Sequence, residues 1–156
     1  MNLKISFSWI GLVVFALPML INIVYAVFPP TEKSSPPTKI TRWIEIVEQI
    51  SRMMYLLAVT FLVSCKPLSF KSAWLYLAVC CLILYYAVWI RFFIGGRKIA
   101  LLRRAFFYIP MPLAVFPVLY FLCAAVWLHN LPAAVSMVIF GAAHWTVSLQ
   151  SFHTSC

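Results

Sequence analysis

Few residues in this chain could do chemistry, and those few stand where charge is costly. Glu45, Glu48, Gln49 and Arg52 follow one another at i, i+3, i+4 and i+7, the spacing that lines side chains along one face of a helix. Glu48 and Arg52 are an acid and a base four residues apart, in the favourable order for an intrahelical pair. His144 shares a helical face with Gly141 and Ser148, and an imidazole can bind a ligand or relay a proton near neutral pH. Asn22, Tyr85 and Tyr86 are hydrogen-bonding groups set deep in apolar runs. Each set has a structural counterpart: an ion pair that fixes helix register, a packed histidine and interhelical glue.

The absences narrow the chemistry further. The chain has no aspartate, and its acids are Glu32, Glu45 and Glu48, so a Ser-His-Asp triad is impossible. No H-E-x-x-H, paired-histidine or C-x-x-C spacing occurs among its residues, so no metal site is expected. Neither G-x-x-x-x-G-K-[ST] nor G-x-G-x-x-G is present around Gly95 and Gly96, so a phosphate-cradling loop has no support. No cofactor is expected. Cys65, Cys80, Cys81, Cys123 and Cys156 read as small apolar fillers rather than a redox or disulfide framework.

What must position the candidate residues is a set of membrane helices. Of 156 residues, 65% are hydrophobic and 10% charged, against about 25% charged in a soluble domain. One core of this size could not hide so much apolar surface, so the excess faces lipid. The expected fold is an all-α integral membrane protein, a single domain over 1–156 with five spans at about 5–28, 43–63, 73–93, 106–128 and 132–149, each near the ~20 residues that cross the hydrocarbon. Pro18 should kink the first span, and Pro117 the fourth. Pro110 and Pro112 fit the first turn of the fourth. Residues 29–41 form a Pro-rich loop, and 94–105 a basic cytoplasmic loop in which the Gly95-Gly96 pair ends the third helix. The second run is the ambiguous one. Its first half, 40–52, either lies in the interface or spans with its polar stripe turned inward; spanning is favoured, because 53–63 alone is too short.

Orientation follows from Lys and Arg in the short loops. Lys33, Lys39, Arg42, Arg91, Arg97, Lys98, Arg103 and Arg104 fall on one side, and Lys4, Lys66 and Lys71 on the other. That places the N-terminus outside and the C-terminus inside. The net charge of +9 is then read as helix anchoring, with anionic lipid headgroups at Arg97, Lys98, Arg103 and Arg104, and not as nucleic-acid binding. The expected location is the bacterial cytoplasmic membrane.

The sequence supports three readings of function, in this order. The first is ligand binding or transport, with an intramembrane pocket lined by Glu45, Glu48, Arg52, Asn22, Tyr86 and His144 and with a homodimer expected if the chain forms a pathway. The second is an accessory or structural subunit whose charge stripe pairs with a partner membrane protein. The third and weakest is a membrane-bound lipid-modifying enzyme using Glu48 or His144 as acid or base; a non-enzymatic role is preferred. In sealed cells or right-side-out vesicles, an impermeant thiol reagent should label Cys65 without lysis and Cys156 only after it. The reverse pattern would overturn the assigned orientation.

Overall fold

In the computed structural model of the chain, residues 3–31, 39–106, 108–109 and 111–153 are described. The fold is mostly helical: β1 (Leu3–Ile5), α1 (Trp9–Val27), α2 (Lys39–Phe61), β2 (Leu62–Ser64), α3 (Ala73–Ile94), α4 (Ile99–Arg103), α5 (Pro112–Trp127) and α6 (Leu131–His153). Among the described residues, three helical segments are long and apolar enough to cross a membrane: Trp9–Val27, Ala73–Ile94 and Leu131–Leu149. This is consistent with an integral membrane protein. The other two expected spans differ from that pattern. α2 is one continuous helix of 23 residues, long enough to cross but interrupted by charge. α5 has only 16 residues, about 24 Å at 1.5 Å per residue.

The ends of the helices have local causes. Ser8 caps α1, its Oγ accepting from the Gly11 amide at 3.0 Å, and the chain before it leaves the helix. Residues 3–5 pair antiparallel with β2, Lys4 opposite Val63, so Ile5, the first residue of the expected 5–28 span, lies outside the helix. α2 begins at Lys39, so the last residues of the expected 29–41 loop are helical, while residues 32–38 lie outside the described residues. α3 stops at Ile94, just before the Gly95-Gly96 pair. Gly96 takes a φ of +81°, and the Arg97 amide reaches back to the Phe92 carbonyl at 3.0 Å, the six-to-one bond of a Schellman end.

The start of the fourth run is a correction. The helix does not begin near Phe106, because a residue before proline is pushed out of the α region. Met111, just before Pro112, has a φ of 54°. Upstream, Phe106 and Ile109 bond each other across a tight turn at 3.2 and 3.0 Å. Pro112 occupies the first turn of α5, where its missing N–H costs nothing; Pro110 lies outside the described residues. The expected basic loop also holds structure, α4. The Arg91 guanidinium donates to the carbonyls of Leu101 at 2.6 Å, Arg104 at 2.8 Å and Ala105 at 3.3 Å, which ties α4 to the end of α3.

α2 packs most extensively on α6, α3 on α5, and α5 on α6. α1 crosses this layer obliquely. Near its start it meets α2: a Cβ on Gly11 would lie 1.8 Å from the Val59 carbonyl oxygen, so only glycine permits this approach. Further along, Phe15 stacks on Phe121 of α5 with ring centroids 5.9 Å apart. Past Pro18 the partners are on α3, where the Tyr25 ring stands 5.2 Å from Trp89. Gly11, Pro18, Asn22 and Ala26 are spaced to share one face of this helix. Gly11 and Pro18 are buried and Asn22 half-buried, whereas Ala26 is exposed.

Tyrosines pin the crossing. Pro18 has no N–H to offer the Val14 carbonyl four residues back, and the buried Tyr120 hydroxyl of α5 donates to that oxygen at 2.8 Å. Tyr86 of α3 donates to the Leu17 carbonyl. Tyr55 of α2 donates to the Phe121 carbonyl at 2.9 Å. Buried hydroxyls aimed at backbone oxygens suit an apolar setting, where an unpaired polar group is expensive.

The opposite turn is held by Asn130. α5 ends in a second Schellman arrangement with His129 at φ 51°, the Asn130 amide bonding Ala125 O at 2.9 Å and the His129 amide Val126 O at 3.0 Å. The Asn130 side chain then works in two directions. Its Oδ1 accepts from the Ala133 amide at 3.0 Å, capping α6. Its Nδ2 donates to Ala58 O at 2.8 Å and Leu62 O at 2.7 Å, closing the end of α2. Asn130→Asp keeps the cap acceptor and loses both donations; Asn130→Ala loses all three. In detergent unfolding, each lost bond to a buried group should cost about 1–3 kcal/mol, so both variants should be destabilised, Ala at least as much as Asp. Stability unchanged in Asn130→Ala would refute this role.

Candidate functional site

The α2–α6 seam is mostly apolar and holds one ionisable pair. On α2 the inner row runs from Glu48 to Tyr55 and continues to Leu62 at the start of β2, one residue every seven. On α6 it runs Ala133, Met137, Phe140, His144. Ala133, Met137, Phe140 and Tyr55 are buried core residues. Both rows end, toward the side carrying Arg97 and Lys98, in an ionisable residue. There His144 Nδ1 lies 3.0 Å from Glu48 Oε1, with the side chains 26% and 13% exposed respectively. Glu48 is nine residues from the start of α2 and His144 nine from the end of α6, so each sits about 14 Å in from its helix end.

The neighbours fix the pair. Phe140 stacks on the imidazole with ring planes 15° apart and centroids 5.2 Å apart. Gly141 lets α5 come close; a Cβ there would meet Val118 at 2.8 Å. Ser51, one turn from Glu48, turns its hydroxyl to its own helix, donating to Val47 O at 2.7 Å, and leaves the carboxylate to histidine.

The rest of the α2 stripe is arranged differently from the expected i,i+4 pairing. Arg52 donates to Gln49 Oε1, and the one ion pair among the described residues joins Glu48 to His144. A cross-helix partner in the packed seam has displaced the local one. Glu45 and Arg52 are half-buried and Gln49 is exposed. They stay open because α1 lies on α2 at Gly11 and Phe15 and has moved to α3 by Tyr25. α1 itself carries no charged residue.

Asn22 and Tyr86 belong to another interface. Asn22 Oδ1 lies 3.5 Å from the Tyr85 hydroxyl, and its Nδ2 lies 3.6 Å from Met19 Sδ. Tyr86 holds the Leu17 carbonyl. These groups join α1 to α3, so the six expected residues do not share one set of contacts. Glu48 and His144 come together with Glu45, Gln49 and Arg52 on the adjoining face. Asn130, Tyr55, Tyr120 and Trp127 were not singled out from sequence. For Asn130 a local signal existed, an N-cap residue placed just before Leu131-Pro132; the tyrosines gave none.

Chemically, a carboxylate and an imidazole 3.0 Å apart can share a proton or turn together to a polar ligand. Gln49 and Arg52 add donors one turn away. Among the described residues no group of three or more His, Cys, Asp or Glu is placed to hold a metal ion. No protein-family model, curated protein or solved structure matches the chain.

If the contact couples the two residues, Glu48→Gln and His144→Phe should each destabilise the protein by about 1–3 kcal/mol. The double variant should cost less than the sum by about 1 kcal/mol or more. Additive losses in chemical unfolding would show that the pair is not coupled.

Proposed function

We propose that this is a five-span integral membrane protein that binds, or moves across the membrane, a small polar solute at an intramembrane site centred on Glu48 and His144. The observation that carries the proposal is the 3.0 Å contact between these residues across the α2–α6 seam. An ionisable pair so far from the helix ends is costly and is a functional candidate by default. Left open by the departure of α1, Glu45 extends the site toward the basic end, and Gln49 and Arg52 extend it the other way along α2. With two carboxylates against one guanidinium, the face suits a cationic or zwitterionic solute.

The same reading includes the N-out, C-in orientation. Support comes from the grouping of charge at the two ends of the fold. The β1–β2 pair and the α5–α6 turn share one end, through Asn130 on Ala58 and Leu62. Arg91, Arg97, Lys98 and Arg104 cluster at the other, where the Thr31 amide meets the Arg97 carbonyl at 3.3 Å. Fastened by Arg91, that basic end would face anionic headgroups, Arg97, Lys98, Arg103 and Arg104 being the candidates.

A thermal-shift screen of amino acids, polyamines and quaternary amines on the detergent-solubilised protein tests the site. A ligand at a hundred times its Kd stabilises by about 2.7 kcal/mol, which at this size raises Tm by about 5–10 °C. The shift should vanish in folded Glu48→Gln and shrink in Arg52→Gln. A solute that stabilises wild type and Glu48→Gln equally would place its binding elsewhere. If Glu48→Gln instead folds but changes only oligomeric state, the accessory-subunit reading takes its place.

A further inference from the structure

We propose that the groove between α1 and α3 is a binding site for a single acyl chain of a bilayer lipid. The groove measures about 330 Å³ and is distinct from the Glu48–His144 site. It exists because α1 crosses obliquely and touches α3 closely only past Pro18, leaving the first half of both helices apart. Its floor is made of buried side chains, Ala78, Tyr120, Ala124 and Trp127, and its rims are the exposed Val13 and Val79.

Three features select a hydrocarbon chain. First, the polar atoms of the floor are already used: the Tyr120 hydroxyl on Val14 O at 2.8 Å and the Trp127 indole N–H on Ser69 O at 2.9 Å. A headgroup would find no partner there. Second, an apolar space of this kind does not hold water, and left empty it forfeits dispersion contacts along its whole lining. Third, the two helices that flank it are both long and apolar enough to span a membrane, so its open side faces hydrocarbon. The groove runs from Trp9 and Leu75 to Leu17 and Leu82, about 10–12 Å by the helical rise. At its inner end Tyr86 clamps the Leu17 carbonyl. The larger groove on the outer face of α2 and α6, about 730 Å³, is lined mainly by exposed residues such as Met54, Leu57 and Val135. It has no comparable floor and is ordinary lipid-facing surface.

The proposal rests on the membrane reading, and one experiment separates the two. Chains keeping Trp127 or Trp145 as the sole tryptophan, the others changed to Phe, are reconstituted in phosphatidylcholine vesicles with or without dibrominated acyl chains, which quench tryptophan on contact. Trp145 is 38% exposed on α6 and Trp127 only 5% exposed at the groove floor. The expected result is at least twofold quenching of both, with Val79→Phe, which plugs the groove from its rim, relieving Trp127 and leaving Trp145 quenched. Trp145 quenched and Trp127 not, or no relief by Val79→Phe, overturns the groove site. Neither quenched overturns the membrane reading. Should the single-tryptophan chains fail to fold, the comparison is made with all six tryptophans kept. Val79→Phe must then raise emission in brominated vesicles, and unchanged emission overturns the proposal.

Discussion

The Tyr120 hydroxyl on the Val14 carbonyl is the contact on which the arrangement of this protein depends. Pro18 removes the amide that would have bonded that oxygen, and in an apolar environment an unbonded carbonyl cannot be left to solvent. The partner comes from α5, 106 residues away in sequence. Once that bond forms, α1 is fixed over α5 at one point and free to lean at both ends. Gly11 decides the lean at the start, by admitting the Val59 carbonyl to a distance no side chain would allow. Tyr86 and the Tyr25–Trp89 ring contact decide it at the finish.

Two surfaces follow from that oblique path. Where α1 leaves α2, the Glu45, Gln49 and Arg52 face is bare, and Glu48 beneath it faces His144. Where α1 has not yet reached α3, an apolar groove remains over Tyr120 and Trp127. The Tyr120 bond thus stands between a polar site and an apolar one, and it supplies no free polar atom to either. Asn130 has the complementary task at the far turn. It locks α2 to α6, and so sets the register in which Glu48 and His144 meet some 14 residues along each helix.

Much of this was legible in the sequence wherever the cause was local. Gly95-Gly96 had to end α3, because a left-handed residue is needed there and glycine supplies it. The matched depths of Glu48 and His144 could be counted from the ends of their runs. The i,i+4 rule, by contrast, pointed Glu48 at Arg52, and packing against α6 overrode it. Pro110 and Pro112 were placed together in a first turn, although the restriction on the residue before each proline argues for a later start, as Met111 shows. Asn22 and Tyr86 were grouped with the charged residues because polar groups in apolar runs look alike until their helices are placed. The need to satisfy the carbonyl freed by Pro18 could be stated from sequence. That Tyr120 satisfies it could not, since nothing local marks one tyrosine among seven.

The dependence on that bond has a direct test in a double-mutant cycle on Tyr120 and Pro18. With Pro18 present, Tyr120→Phe strands the Val14 carbonyl and should cost about 1–3 kcal/mol in detergent unfolding. With Pro18→Ala, residue 18 regains its amide and can bond that oxygen itself, so the same Tyr120→Phe change should cost measurably less. Equal costs in the two backgrounds, or no cost in either, would contradict the claim that the carbonyl freed by Pro18 holds α1 in place.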